Sequence, residues 1–593
     1  MTSLTYPFDS SYILKNRKAI RKELLSDGSN RLKKRIAILG GSTTSDIVKI
    51  TELFLLNNGI EPTFYESEYG QFREDALFGN EELEAFKPDL IYIHTTLRNL
   101  KLPFPTLSDS EAEVLDKLNQ QYRHFEVIWE KLQEKFGCPI IQNNFEYPFY
   151  RLLGNRDAYD IRGKINYVNR LNELFYNYAR THEGFYINDI NYLSSCYGLD
   201  KWADLSYWYM YKYALCIEAI PYLSFNISNI IKSVFGKNKK LLVLDMDNTL
   251  WGGVIGDDGV EGIELGQETA NGQCYREFQD YIKSHKDLGV MLTIASKNER
   301  ENALLGINHP DSAFNEDDFL IIKSNWENKA KNISETAAEL DLGADSFVFV
   351  DDNPAEREIV GSVINGIAVP EMVNPEEYIR TLDKNAYFEV TSFSQDDLKR
   401  NEMYMANASR AVLMQDFTDY REYLLGLDMH GEIQGFIPVY IQRITQLTNK
   451  SNQFNVTTKR YTVSEIEAAA SSDEYITLYG RLEDKFGDNG VVSVVIGKKD
   501  KDILNIDLWL MSCRVLKRDM ELAMLDTLVK KCREQGIKRI VGYYFPTSKN
   551  AMVKDLFGFF GFNKVSENEN GNTVWELSVD AYENKNNVIK VIS

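Results

Sequence analysis

Histidine is scarce in this chain: six occur in 593 residues, and none lies between His182 and His285. Acid–base chemistry in that stretch therefore has no imidazole to draw on and must use carboxylates or other groups. Cysteine is equally sparse. Cys138, Cys196, Cys216, Cys274, Cys513 and Cys532 are scattered without a Cys-x-x-Cys pair, which argues against a disulfide framework or zinc site and fits a reduced cytoplasm. Apolar runs long enough to span a bilayer are missing, and residues 1–25 are polar and mixed in charge, without the apolar core of a signal peptide. The expectation is a cytoplasmic protein with no membrane partner. Positive charge is in deficit, with 67 Lys+Arg against 88 Asp+Glu and a net charge of -21. Nucleic acid is thereby excluded as the main partner, although a local basic face remains compatible.

What the chain does have is apolar and aromatic content, 44% and 12%, enough for well-buried globular domains. Its length predicts about three or four of them. From Arg35 the first region alternates strands and helices. Ile36-Ala37-Ile38-Leu39 reads as a buried strand running into Gly40-Gly41-Ser42-Thr43-Thr44, with further strands at 89–94, 139–144 and 185–188 and long helical patterns near 111–136 and 158–180. This predicts a three-layer α/β domain over 1–237 with a mostly parallel sheet.

The second region, 238–385, opens on Leu241-Leu242-Val243-Leu244-Asp245-Met246-Asp247-Asn248-Thr249. Four apolar residues make a strand, and two carboxylates and a hydroxyl follow where open parallel sheets bind ligands. A glycine-rich excursion, Gly252 to Gly259, comes next. The strand 290–295 then ends in Ser296-Lys297-Asn298, Lys329 lies at the head of a helix, and the strand 346–350 ends in Asp351-Asp352. Three strand ends and one helix start supply carboxylates for a divalent cation, a hydroxyl and an ammonium for phosphate oxygens, and one carboxylate free to attack phosphorus.

Asp-x-Asp-x-Thr, Ser, Lys and Asp-Asp in this order resemble the haloacid dehalogenase superfamily of phosphohydrolases and phosphotransferases (subfamily IIIC). The resemblance implies that Asp245 is the nucleophile and Asp247 the general acid/base. It makes Thr249, Ser296 and Lys329 phosphate ligands, and it places Mg2+ on Asp245, Asp351, Asp352 and the backbone carbonyl of Asp247. The intervals between these motifs are too short for a separate cap domain.

In the first region, Gly-Gly-Ser-Thr resembles the serine block of the SGNH hydrolases, and Gln142-Asn143-Asn144 loosely resembles their asparagine block. Tyr207 stands where the family's Asp-x-x-His would put its base, at Asp204-Leu205-Ser206-Tyr207. A docking or structural role is expected rather than hydrolysis. A polar helical connector, 386–436, contains Gln395-Asp396-Asp397.

The third region, 437–593, carries strands at 475–482, 491–496 and 505–511, with Asp488-Asn489-Gly490 read as a hairpin turn. A bend at 512–518, a helix from 520 to 534 and a strand at 540–544 complete it. This order resembles the GNAT acetyltransferase fold. Its pyrophosphate-binding bend has glycines where this chain has Lys517 and Asp519, so acetyl-CoA use is not expected, while a phosphopantetheine arm is still compatible. Cys513, next to Arg514, Lys517 and Arg518, is either a thiolate nucleophile or a core cysteine. Between 441 and 550 there are 18 Lys+Arg against 14 Asp+Glu, a balance that would steer an acidic carrier protein there.

Taken together, the runs 245–256, 345–358, 446–455, 484–490, 512–516 and 546–550 resemble the FkbH-like proteins of polyketide pathways. That resemblance implies synthesis of a glyceryl thioester on an acyl carrier protein from 1,3-bisphosphoglycerate, with loss of both phosphates, and the residue chemistry is compatible with an acyl step on Cys513 as a covalent relay and a monoester step on Asp245. Two other readings are open: a phosphatase of small phosphoesters or phosphoproteins, and a non-catalytic scaffold.

Overall fold

The computed structural model describes residues 2–392, 400–414, 417–547 and 549–592. Gln395-Asp396-Asp397 of the connector and Ser548 of the 546–550 run lie outside the described residues. The chain forms two compact units, Met1–Val234 and Phe235–Ser593.

In the first unit, apolar runs form five parallel strands, β1 (Leu32–Gly40), β2 (Ile60–Glu66), β3 (Leu90–His94), β4 (Ile140–Asn143) and β5 (Phe185–Asn188), in the order β2-β1-β3-β4-β5. Every residue of β3 is buried, as a sheet covered on both faces requires. Ala37, Leu39, Ile91 and Ile93 pack with the apolar stripes of the helices Glu111–Phe136 and Lys164–Thr181. The first of these starts at a Ser110/Glu113 capping box and stops at Gly137, whose φ of 59° suits glycine.

The second unit contains two sheets. One is parallel throughout: β6 (Leu241–Leu244), β7 (Met291–Ser296), β8 (Ile321–Ser324) and β9 (Phe347–Val350), ordered β8-β7-β6-β9. Leu242 and Leu244 face one apolar cluster and Leu241 and Val243 the other, the period-2 division that makes β6 an interior strand. Between β6 and β7 there is a small flap, where Gly252 pairs with Glu264, and one long helix, Ala270–Asp287.

The other sheet has nine strands: β10 (His430–Gln434), β11 (Phe454–Asn455), β12 (Tyr475–Asp484), β13 (Gly487–Asp500), β14 (Ile503–Met511), β15 (Arg539–Tyr544), β16 (Asn563–Glu567), β17 (Thr573–Ser578) and β18 (Lys590–Ile592). The expectation of a multidomain α/β protein is borne out. Two details differ from the sequence reading. The sheet takes β10 from within the segment read as a helical connector. The β12–β13 turn falls at Lys485-Phe486 rather than at Asp488-Asn489-Gly490, because Asn489 is buried and donates to Leu482 O, while the Asp484 carboxylate accepts from Phe486 N at 2.9 Å.

Strands β14 and β15 run parallel over three residues only, 503–505 against 539–541. Beyond that they part, and β11 with Val456 fills the gap. Val456 N donates to Trp509 O on one side, and its carbonyl accepts from Phe545 N on the other.

Candidate functional site

Every strand of the β8-β7-β6-β9 sheet points the same way, so the carboxyl ends of β6, β7 and β9 meet at one edge. Asp245 extends β6, its N–H bonded to Val350 O. Asn248 then adopts a left-handed φ of 54°, a conformation Asn tolerates, and the chain leaves the strand direction just after Asp247.

The Asp245, Asp351 and Asp352 carboxylates each offer an oxygen within 4.8 Å of the others. Lys329, at the start of the helix Lys329–Glu339, reaches in with Nζ 3.0 Å from Asp245 Oδ1 and 2.6 Å from Asp351 Oδ2. Burial works to lower the Lys329 pKa, but the two aspartates outweigh it and the net shift is upward. Asp351, fully buried, is pushed up to about 6 by burial and by the Asp245 charge. Asp352 shifts upward for the same reasons. An arrangement of three carboxylates around a point, strained by mutual repulsion, fits a hard divalent cation with oxygen ligands.

Asp247 is held apart from this group. Its Oδ1 accepts from Trp251 Nε1 (2.9 Å) and Ile255 N (3.1 Å), and its Oδ2 from Asn298 Nδ2 (2.8 Å). Burial raises its pKa in spite of these bonds. Its side chain is not among the convergent carboxylates, which leaves its backbone carbonyl as the group the resemblance gives to the metal. Thr249 is buried, and its hydroxyl accepts from Asp352 N at 3.2 Å. Ser296 is buried at the carboxyl end of β7.

Two residues without a role in the sequence reading support the site. Asn298 orients Asp247. Arg357 Nη1 donates to the carbonyls of Asp351, Asp352 and Met372 at 2.8, 2.6 and 2.9 Å, clamping the loop that carries two carboxylates. Their only signal was proximity to the strand-end motifs.

Cys513 is not in this group. It opens the 3-10 turn Cys513–Val515, half-buried, with Sγ 3.8 Å from Tyr404 Oη, and it packs on the apolar cluster around Leu241 and Phe347. Two of the cations beside it in sequence have other partners. Arg514 donates to Ser512 Oγ and contacts Met403 Sδ, and Arg518 binds Asp484, Asn489 and the Arg514 carbonyl. Lys517 and Asp519 both have glycine-like φ values, 63° and 60°. Glu521, in the first turn of the helix Met520–Glu534, is pushed up to about 7 by burial, and its Oε2 has no hydrogen-bond partner. Two carboxylates thus crowd the helix start where a pyrophosphate would bind.

In the first unit, Ser42 is buried with its hydroxyl unpartnered. Asp204 caps the helix Leu205–Tyr211, accepting from Ser206 N at 2.8 Å. His94, at the end of β3, is buried beside Tyr92 Oη and Asn143, and burial pushes its pKa down to about 4.

The parallel sheet with convergent carboxylates defines a domain of the phosphoryl-transfer type, and the first unit has a flavodoxin-like strand order. Residues 35–232 match the family model described as FkbH, N-terminal domain, which bears out the resemblance to FkbH-like proteins. The N-terminal part of protein BF1531 from Bacteroides fragilis, containing a phosphatase domain and crystallised with Mg, is 27% identical with a TM-score of 0.58, over 64% of this chain and 99% of that one. Over the C-terminal region, the ribosomal-protein-S18-alanine N-acetyltransferase of Escherichia coli is 11% identical (TM-score 0.20, 25% of this chain, 94% of that one). A GNAT-family acetyltransferase of Streptococcus pneumoniae is 17% identical (TM-score 0.21, 25% and 99%). No curated protein matches the chain.

Proposed function

We propose that this protein removes phosphate from a phosphate monoester through an aspartyl-phosphate on Asp245, and couples that reaction to loading of a glyceryl group from 1,3-bisphosphoglycerate onto an acyl carrier protein. The observation that carries the first half is the division of labour between Asp245 and Asp247. One carboxylate lies with Asp351, Asp352 and Lys329; the other is set apart with a raised pKa.

Asp245, Asp351 and Asp352 would hold Mg2+, the ion in the Bacteroides fragilis relative. When bound, it neutralises charge on the phosphoryl oxygens. Asp245 Oδ attacks phosphorus, the P–O bond to the leaving group breaks, and Asp247 gives its proton to the departing oxygen. Asp247, now ionised, takes a proton from water as that water attacks the aspartyl-phosphate. Lys329 and the Thr249 and Ser296 hydroxyls offer positive charge and donors to phosphate oxygens. Trp251, Ile255 N and Asn298 fix the Asp247 carboxylate throughout.

The second half rests on the FkbH match and on a thiol, Cys513, suited to accept an acyl group from an acyl phosphate. Acetyl-CoA is not the donor in this reading: Asp519 and Glu521 oppose a pyrophosphate, and β11 occupies the gap between β14 and β15. The test is magnesium-dependent phosphate release from an aryl phosphate, a monoester with no acyl phosphate in it, by the full chain. Release abolished in Asp245→Asn supports the assignment, and release that persists in that variant overturns it.

A further inference from the structure

The loop after β7 reaches across the carboxylate site. Strand β6, which runs into Asp245, lies between β7 and β9, so the ends of β7 and β9 are two strand spacings apart, roughly 10 Å. Lys297, the first residue beyond β7, nevertheless pairs with Glu356, in the first turn of the helix Pro354–Val363 that follows β9, with Nζ 2.6 Å from Oε1. Its neighbour Asn298 reaches Asp247, just beyond β6. These two contacts carry the loop over the end of β6, and the ion pair joins the segments on either side of Asp245.

The two partners differ in exposure. Glu356 is 8% exposed, whereas 42% of the Lys297 side chain is open to solvent. An anionic substrate group that drew Lys297 away would leave a nearly buried carboxylate without its cation, a loss that a new solvent-exposed pair does not return. The pair therefore stays closed and presents no net charge. The rim beside Asp247 is acidic. Ile255, whose N–H binds Asp247, opens the short helix Ile255–Asp258, which places the exposed Asp257 and Asp258 close to the acid/base carboxylate. Glu299, next to Asn298, accepts from Trp326 Nε1 at 2.7 Å. Lys329 lies deeper, between Asp245 and Asp351.

We propose that the Lys297–Glu356 bridge and the acidic rim make the phosphoryl site select monoesters whose leaving group is uncharged, and reject those that carry a carboxylate beside the ester. This rests on the phosphatase reading above and adds the charge of the leaving group. Asp247 gives its proton to the departing oxygen, so the leaving group faces the Asp247 side of the site. A carboxylate there meets Asp257, Asp258 and a lysine already neutralised by Glu356. A hydroxyl, ester or thioester in the same place meets no like charge. A phosphoglyceryl group is accordingly accepted when its carboxyl carbon is esterified or thioesterified, and refused as the free acid.

The experiment measures kcat/KM of the full-length protein, with magnesium, on glycerol 3-phosphate and 3-phosphoglycerate, whose leaving groups differ in carrying a hydroxymethyl or a carboxylate. Wild type should prefer glycerol phosphate by at least ~10-fold, as like-charge repulsion requires. Glu356→Gln keeps a hydrogen-bond acceptor but releases the lysine charge, and should narrow that preference at least ~5-fold. Asp257→Asn, at an exposed position, should narrow it in the same direction. Lys297→Met leaves the Glu356 charge unopposed and should widen it, and Lys297→Arg should keep the wild-type ratio. Opposite movements of the ratio separate charge selection from a structural role, because a variant that only loosens the loop lowers both rates together. A wild-type ratio near one, or in favour of 3-phosphoglycerate, overturns the proposal, as does one ratio shared by wild type, Glu356→Gln and Lys297→Met. An aryl phosphate run alongside separates this from the phosphatase reading. If the aryl phosphate is not hydrolysed, or is hydrolysed equally by Asp245→Asn, that reading fails; if its hydrolysis depends on Asp245 and the ratio is flat, only the proposed selection fails.

Discussion

Asn298 donates to the Asp247 carboxylate at 2.8 Å, from the loop that follows β7. That bond, with those from Trp251 and Ile255, holds the Asp247 carboxylate outside the cluster of Asp245, Asp351 and Asp352. Replacing Asn298 by Ala frees Asp247 to rotate towards the carboxylate cluster. The account predicts a fall in kcat of about 10–100-fold, in the range of lost supporting contacts, with a smaller change in KM. Steady-state kinetics on an aryl phosphate checks this. Wild-type kcat in Asn298→Ala would remove the orienting role.

Lys329 is buried between Asp245 and Asp351. In Lys329→Met two carboxylates lose their counter-charge, and breaking a buried pair this way costs about 3–5 kcal/mol. Thermal melts of the metal-free protein should show a marked loss, and magnesium should recover part of it by supplying positive charge to the same oxygens. A variant that melts with wild type in the absence of magnesium contradicts the picture.

The sign of the pH effect follows from Asp351. Its carboxyl is raised to about 6 in the metal-free fold, against about 3.9 for an unperturbed Asp. The folded state holds the extra proton between those values, so this group's contribution to stability is present below the lower value and is lost as pH rises towards 6. Magnesium replaces that proton. The rise in melting temperature on adding magnesium should accordingly be larger at pH 7.5 than at pH 5, and an equal rise at both would contradict it.

Much of the candidate site was legible in the sequence because its residues sit at the ends of apolar strands, and strand runs can be read locally. Asp245, Ser296 and Asp351 follow directly from β6, β7 and β9. Asn298 and Arg357 were not legible, since a loop polar residue has no periodicity and its partners are set by tertiary folding. The position of Cys513 was hidden for a related reason. It depends on how two sheets pack, and residues 513 and 241 meet only in the folded second unit. At 488–490 a strong local turn signal was overridden by the burial of Asn489.

Lys517 shows the converse, a local conflict visible only in the structure. With a φ of 63° it occupies a conformation that costs a side chain about 1–2 kcal/mol, of which glycine's extra chain entropy cancels part. Lys517→Gly should leave the melting temperature unchanged or raise it, by up to about 1 kcal/mol in stability, whereas Lys517→Val should lower it. Paired thermal melts decide this, and a destabilised Lys517→Gly would contradict the assigned backbone.

The coupling of phosphate removal to carrier loading is tested most directly by weighing an acyl carrier protein after incubation with this protein, 1,3-bisphosphoglycerate and magnesium. The account predicts a mass gain of one glyceryl group on the pantetheine thiol, lost in Cys513→Ser. Phosphate release with a carrier of unchanged mass would contradict it and leave a phosphatase alone.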